Sequence, residues 1–373
     1  MAFQALSFVL PMVLASPLLA FTATSNFEPT YGLELTFTNG YLIRKGKKEG
    51  INNDGCPASR RARDQWARKM SLLCAERWGN ESCEVIPGER RGYKYYTVQY
   101  RDGWFYNITV DPLVIEITAK PMTLNQARSL RYRIENDIFR FASQEMSVGG
   151  WFQKGKGLFP SRSVGGGHIH IGFDSAFAHH TYSALFVRNF LVDFSNHPTL
   201  AFLSLNKTKN DPPISLLKYP QRRAFHQVLD WFDKKKPSVY DFVKQVQGRV
   251  YYDTYRQPTE KDPEAWFPPQ KYQAMNLTRL VSQDYTPSEK TIEIRSLRPQ
   301  KDANDLIRIL TLLEKRLELI KSYLDPIPYE PDDRGLEFLS KKKLMERARC
   351  ELKSYVEGAG LNFKNYQDLL DKK

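Results

Sequence analysis

The chain has 373 residues, of which 41% are apolar and 13% aromatic, so it can bury a substantial core as one large domain or two ordinary ones. It is therefore a globular protein, and its sequence contains no internal repeat or low-complexity tract. The formal net charge of +13 favours an anionic partner, such as nucleotide phosphates, an acidic peptide or an anionic membrane surface. We do not expect sequence-specific recognition of nucleic acid.

The N-terminal segment is an almost continuous apolar run that ends in small residues. This pattern is typical of a secretory signal peptide of about 25 residues, with cleavage expected between Ala20 and Ser25. Two prolines interrupt the run and no Lys or Arg precedes it, so a membrane anchor is the alternative. We predict a secreted or periplasmic protein, with 26–330 as its main domain and 331–373 as a charged helical extension.

The four cysteines are an even number in a chain with a predicted export signal, which favours one or two disulfides. They are Cys56, Cys74, Cys83 and Cys350. None belongs to a CxxC pair, which argues against a cysteine zinc site. The short spacing between Cys74 and Cys83 predicts a disulfide that closes a local loop.

Strand patterns occur at six places along the chain. In chain order their sequences are YGLELTFT, YKYYTVQY, WFYNITV, LVIEITA, HIHI and KTIEIRSL. The second and third form a predicted hairpin that turns at Asp102 and Gly103.

Helices are predicted between and after these strands. The first is basic and follows Pro57 for about twenty residues. Thr123 and Gln126 form a capping-box pattern, which predicts a helix that runs to about residue 146 with its apolar residues facing the core. Further helices are expected at about 179–195, 222–235, 238–249 and 304–323.

Four of the strands are apolar on one face and polar on the other, because side chains alternate along a strand. The polar residues are Glu34, Thr36, Glu116, Thr118, His168, His170, Glu293 and Arg295. An antiparallel sheet with one hydrated face would give the same alternation. Hydrated faces are usually rich in Lys, Ser, Gln and Thr, however, whereas carboxylates and imidazoles are ligands for divalent cations. We favour a metal site, because three carboxylates on one face would repel one another without a cation.

The blocks YGLELTF, VIEITAKP, GGGHIHIG, KYQAMN and TIEIRSL, in this order, resemble the signature blocks of the amidoligases. These carboxylate-amine ligases share the fold of glutamine synthetase and glutamate-cysteine ligase, and the resemblance covers about residues 30–325. It implies an α+β fold that resembles glutamine synthetase, with a curved, largely antiparallel sheet and helices packed on its outer face. It also implies that ATP and Mg²⁺ or Mn²⁺ bind on the sheet, where a carboxylate is phosphorylated and an amine then displaces the phosphate. The substrate would be an amino acid, a peptide or a protein.

The resemblance also assigns roles to residues by matching position. The metal ligands would be Glu34, Glu116, His168 or His170, and Glu293. Arg295 would grip phosphate or the substrate carboxylate, and Asn276 would line the site. The residues directly involved in catalysis would be Glu34, Glu293 and Arg295. The first strand of the family usually carries a second glutamate where this chain has Thr36, so one metal position lacks its carboxylate.

Basic residues near these blocks are candidates to complete a phosphate clamp. Lys154 and Lys156 lie in the glycine-rich loop before HIHI, and Arg298 follows the last predicted strand. With the cations and Arg295, they would neutralise the charge that develops on a transferred phosphoryl group.

Two other functions fit the same residues. A secreted zinc hydrolase would use His168, His170 and Glu116 as ligands, with Glu34 or Glu293 as the base. A non-catalytic basic protein would keep the site only to bind a metal or an anion. Because free ATP is scarce outside cells, an exported ligase is expected to be delivered into another cell that supplies ATP.

Overall fold

The structure is a computed structural model, and it describes residues 28–49, 55–90, 92–146, 157–161, 166–179, 181–202, 219–251, 274–330 and 339–370. The predicted signal peptide, Lys154 and Lys156 lie outside these residues. No helix within them is both long enough and apolar enough to cross a membrane.

Nine strands of the described residues form one open sheet. They are β1 Thr30–Thr38, β2 Cys83–Arg90, β3 Tyr93–Tyr100, β4 Phe105–Asp111, β5 Val114–Thr123, β6 Phe159–Pro160, β7 Gly167–Gly172, β8 Met275–Asn276 and β9 Thr291–Ile294. Neighbouring strands run antiparallel in the order β2-β3-β4-β5-β1-β7-β9-β8, and β6 pairs with the end of β1. The predicted α+β class with a largely antiparallel sheet is confirmed.

Helices lie between the strands and after them. They are α1 Gly40–Glu49, α2 Pro57–Ala75, α3 Leu124–Ser129, α4 Arg131–Ile134, α5 Phe173–Ala176, α6 Ser183–Ser195, α7 Tyr219–Lys235, α8 Val239–Gln245, α9 Thr278–Val281, α10 Ala303–Ser322 and α11 Lys341–Gly358. Two π-helical segments, Glu135–Glu145 and Val246–Tyr251, continue α4 and α8.

The apolar face of the sheet is covered by helices and forms the core. Its alternating residues are buried, namely Leu33, Leu35, Phe37, Ile115, Ile117, Ile169, Ile171, Ile292 and Ile294. The ring of Phe37 lies 5.7 Å from those of Trp66 on α2 and Phe139 on the first π-helical segment. Burial of these large side chains fixes which face of each strand points inward, because a shift of one residue would reverse both faces.

The predicted helix from Thr123 to about residue 146 begins where expected but is not a single α-helix. Thr123 and Gln126 form both bonds of the capping box, which confirms its start. The segment then breaks at Leu130 and becomes π-helical from Glu135. The apolar spacing of a sequence does not distinguish these pitches over so few turns.

Sequence reasoning missed strand β2, which carries Pro87 and Gly88. Both residues weaken a central strand, but β2 lies at the edge of the sheet, where proline is tolerated. The predicted disulfide between Cys74 and Cys83 is confirmed, and it ties the end of α2 to the start of β2. Cys56 and Cys350 are free thiols.

The C-terminal extension packs against the main domain through charged contacts. Arg316 on α10 pairs with Asp193 on α6, and its Nη1 donates to the Tyr355 carbonyl on α11 at 2.9 Å. Asp368 near the C-terminus accepts hydrogen bonds from Arg308 on α10. The extension is therefore attached to α10 at two places.

Candidate functional site

The polar face of the sheet brings together residues from strands that are far apart in sequence. Glu34 on β1 is paired with His168 on β7 and with Thr118 on β5, on its other side. His170, two residues along β7, is paired with Glu293 on β9. The antiparallel register therefore places two carboxylates and two imidazoles on adjacent strands of one face.

Glu34, His168 and Glu293 form a compact cluster. Each offers one ligand atom, and these atoms lie within 4.8 Å of one another. His168 Nδ1 lies 2.9 Å from Glu34 Oε1 and 3.3 Å from Glu293 Oε1. The side chains are 19%, 9% and 5% exposed for Glu34, His168 and Glu293, so the charges are largely shielded from water. Two carboxylates and one imidazole are a suitable donor set for Mn²⁺, Mg²⁺ or Zn²⁺.

Neighbouring side chains hold Glu293 in position. Asn276 Nδ2 donates to Glu293 Oε2 at 2.7 Å, and Arg295 Nη1 donates to Glu293 Oε1. The other amide atom of Asn276 accepts from the Thr278 backbone and hydroxyl. Asn276 therefore lies beside the cluster, where it orients a carboxylate.

His170 also contacts the cluster, but through Glu34. Its Nε2 lies 3.3 Å from Glu34 Oε2, and its Nδ1 lies 3.2 Å from the Thr291 hydroxyl. Both oxygens of Glu34 are thus within hydrogen-bond distance of an imidazole. Burial alone would raise the pKa of Glu34, but the hydrogen bonds and charges of His168 and His170 outweigh it and hold that pKa well below its ordinary value.

Glu116 extends the acidic surface toward β4. Its strand pairs with that of Glu34, because Glu116 is opposite Thr36 in the register, and Thr109 Oγ1 donates to Glu116 Oε1 at 3.3 Å. Burial raises the pKa of Glu116 well above its ordinary value, and the negative charges of Glu34 and Asp111 add to the increase. The structure therefore brings all three predicted glutamates onto one continuous surface, with Glu116 adjacent to the compact cluster rather than inside it.

Thr36 has a backbone partner at the position where a second glutamate was expected. Its buried hydroxyl donates to the Gly166 carbonyl at 2.9 Å. A Cβ at Gly166 would lie 2.8 Å from His168 Nε2, and one at Gly167 would lie 2.3 Å from the Gln300 amide. The glycines before HIHI thus leave space for an imidazole and an amide at the floor of the site.

Arg298, predicted to bind phosphate, lies in a different set of contacts. Its two Nη atoms donate to the two carboxylate oxygens of Asp305 at 2.6 and 2.9 Å, and Nη2 lies 3.5 Å from Asp368. The structure therefore places its guanidinium in the junction with the C-terminal extension. The other predicted phosphate ligands, Lys154 and Lys156, lie outside the described residues.

A cavity of about 620 Å³ lies next to Glu116. It is lined by Arg90, Tyr93, Lys94, Tyr95, Thr97, Gln99, Phe105, Asn107, Thr109, Val110, Glu116 and Thr118. These residues come from β2 to β5, so the cavity continues the polar face away from the cluster. Sequence reasoning missed it because most of its lining residues lie in β3 and β4, two strands that carry no glutamate or histidine.

The zinc hydrolase alternative required His168, His170 and Glu116 as one ligand set. Among the described residues, the group that converges is Glu34, His168 and Glu293 instead. His170 lies next to Glu34 and Thr291. The group that could hold a metal ion therefore contains two carboxylates and one imidazole, and it differs from the ligand set that the zinc hydrolase alternative required.

No protein-family model matches the chain. No curated protein matches it either. The geometry of the cluster and of the adjacent cavity is therefore the basis on which a function can be proposed.

Proposed function

We propose that the protein is an ATP-dependent carboxylate-amine ligase of the amidoligase type, with a fold that resembles glutamine synthetase. The observation that carries this proposal is the cluster of Glu34, His168 and Glu293 on the polar face of an antiparallel sheet. Two further features support it. Arg295 contacts the cluster directly, and a cavity large enough for a substrate lies beside it.

The reaction would proceed in two balanced steps. A substrate carboxylate oxygen would attack the γ-phosphorus of ATP, which forms an acyl phosphate and releases ADP. An amine nitrogen would then attack the acyl carbon, which forms the amide, releases phosphate and loses a proton. Neither step needs a covalent bond to the protein, so binding geometry and electrostatics would supply the rate enhancement.

The residues of the cluster have separate tasks in this reaction. Glu34, His168 and Glu293 would hold divalent cations, which stabilise negative charge on phosphoryl oxygens. Asn276 and Arg295 keep Glu293 in position through the hydrogen bonds described above. The guanidinium of Arg295 adds a positive charge at the edge of the cluster, where it suits a phosphoryl oxygen or a carboxylate.

The test is ADP formation by the purified protein with ATP, Mg²⁺ or Mn²⁺, and a pool of amino acids and peptides. A ligase releases ADP in amounts that increase when both a carboxylate and an amine are present. Glu293→Gln should abolish this release, whereas the control Glu84→Gln should retain it because Glu84 lies on the exposed edge strand β2. A protein that binds Mn²⁺ but releases no ADP would instead be a non-catalytic metal-binding protein.

A further inference from the structure

The cavity beside Glu116 has a polar floor that leads away from the cluster. Adjacent strands pair Glu34 with Thr118, Thr118 with Asn107, and Asn107 with Thr97. With roughly 4.8 Å between neighbouring strands, these three steps cover about 14 Å. A ligand lying on this floor would therefore extend from the metal cluster to the β2–β3 hairpin.

The floor itself carries neutral hydrogen-bonding groups. Thr97 Oγ1 donates to Asn107 Oδ1 at 2.7 Å, and the amide of Asn107 lies 3.5 Å from the Thr118 hydroxyl. Gln99 completes the row, with its Nε2 donating to the backbone. Alternating donors and acceptors of this kind suit the amide groups of a peptide.

One wall of the cavity depends on a glycine. A Cβ at Gly88 would lie 2.4 Å from Tyr95 Cζ and 2.7 Å from its hydroxyl, so the Tyr95 ring lies directly over the β2 backbone. Tyr95 is half-buried and lines the cavity. The position of this ring, and hence the shape of the cavity, requires that residue 88 have no side chain.

The ionisable side chains in the lining lie at opposite ends of the cavity. Glu116 lies at the end next to the cluster, whereas Arg90 and Lys94 lie at the hairpin end. Cations bound at the cluster would make both ends of the cavity electropositive. This arrangement fits a ligand with an anionic group at each end, with polar groups between them.

We infer that the cavity binds a short peptide that carries two carboxylates, one directed to the cluster and the other to Arg90 and Lys94. This inference rests on the proposed function, because the carboxylate at the cluster would be the one that is phosphorylated. The cavity volume of about 620 Å³ is in the range of sites that enclose molecules larger than a single amino acid. A nucleoside fits less well, since its base would place no negative charge at the hairpin.

The inference can be tested by calorimetry without ATP, so that binding is measured apart from catalysis. The probes are the tripeptide glutamyl-alanyl-alanine, which carries a carboxylate at each end, and its neutral counterpart, glutaminyl-alanyl-alanine amide, each added to the protein with Mn²⁺. We expect the acidic peptide to bind more tightly than the neutral one. Arg90→Gln should weaken its binding about tenfold through loss of a charge-assisted contact, and Gly88→Ala should weaken it by displacing Tyr95. The control Arg101→Gln removes the same charge from an exposed residue in the β3–β4 turn.

The results separate this inference from the proposed function. Binding of the acidic peptide that falls in Arg90→Gln and Gly88→Ala but not in Arg101→Gln supports the inference even if ADP is never released. Equal binding of both peptides, or equal binding by all variants, overturns it even if the protein is a ligase. In a separate titration with ATP, weaker binding of the nucleotide but unchanged binding of the acidic peptide by the two cavity variants would show that the cavity takes the nucleotide, and this too overturns the inference.

Discussion

Replacement of Glu34 by glutamine should remove the response of the protein to divalent cations without unfolding it. The ligand atoms of Glu34 and Glu293 lie within 4.8 Å of each other, and at an effective dielectric constant of about 20 their repulsion is about 3.5 kcal/mol. A bound cation removes this repulsion, and so does the loss of one charge. The metal-free variant is therefore expected to be close to the wild type in stability, since the lost contacts to two imidazoles oppose the relieved repulsion.

Thermal unfolding with and without Mn²⁺ measures this effect. At a cation concentration about 100 times the dissociation constant, a single site adds about 2.7 kcal/mol to the free energy of unfolding. For a chain of 373 residues, whose entropy of unfolding is about 2.1 cal/mol/K per residue, that corresponds to an increase of about 3.5 °C in the Tm of the wild type. Glu34→Gln should show almost no increase, whereas the control Glu84→Gln should respond like the wild type. An equal increase in all three proteins would refute the assignment of the cation to this cluster.

Three further changes have defined expected results. Arg295→Lys keeps the charge but loses the paired donors of guanidinium, so ADP release should fall by about two orders of magnitude or more while the Tm changes little; a large loss of Tm with normal turnover would make Arg295 a structural residue. Burial would raise the pKa of Asp368, but hydrogen bonds from Arg308 and Lys301 outweigh it and lower that pKa below its ordinary value. The ionised carboxylate of Asp368 therefore adds to the free energy of unfolding above about pH 4, and this contribution is lost as the pH falls through the lowered pKa. Urea unfolding of Asp368→Asn should therefore depend less on pH between 5 and 2 than that of the wild type, and identical slopes would contradict the ion pairs. Reduction of the disulfide between Cys74 and Cys83, which has a sequence separation of 9, should lower the free energy of unfolding by about 2.7 kcal/mol in the chain-entropy treatment. An unchanged urea midpoint would show that the loop is ordered without the disulfide.

The sequence was sufficient to predict which side chains share the polar face. Leu33 and Leu35 must be buried for β1 to pack against helices, and this requirement sends Glu34 to the opposite face. The same reasoning applies to His168 on β7 and to Glu293 on β9. Alternation within a strand is a local property, so it can be determined without knowledge of the strand order.

The sequence could not predict contacts that depend on strand register or on distant loops. Thr36 shares a face with Glu34, but its hydroxyl bonds the backbone of Gly166, which is 130 residues away. Arg298 lies only three residues after Arg295, yet it pairs with Asp305 because the chain leaves the sheet after β9. Because Arg298 is close to Arg295 in the sequence, we expected it to bind phosphate. The path of the chain after β9 instead brings it to Asp305.

The cavity was missed for a related reason. Gly88 and Tyr95 lie in different strands, and only their pairing in the β2–β3 hairpin shows that the absence of one side chain leaves room for the other. A glycine within a strand is a weak sign of close approach, and it does not indicate which residue approaches. Such a site becomes visible only when the register is known.

Oxygen transfer tests the proposed ligase activity most directly. Amino acids and peptides with ¹⁸O-labelled carboxylates would be incubated with the protein, ATP and Mg²⁺ or Mn²⁺, and the released phosphate analysed by mass spectrometry. An acyl phosphate intermediate carries one carboxylate oxygen into the phosphate, so we expect one ¹⁸O atom per phosphate with the wild type and no labelled phosphate with Glu293→Gln. Release of ADP with unlabelled phosphate would show hydrolysis of ATP by water and would contradict the proposed function.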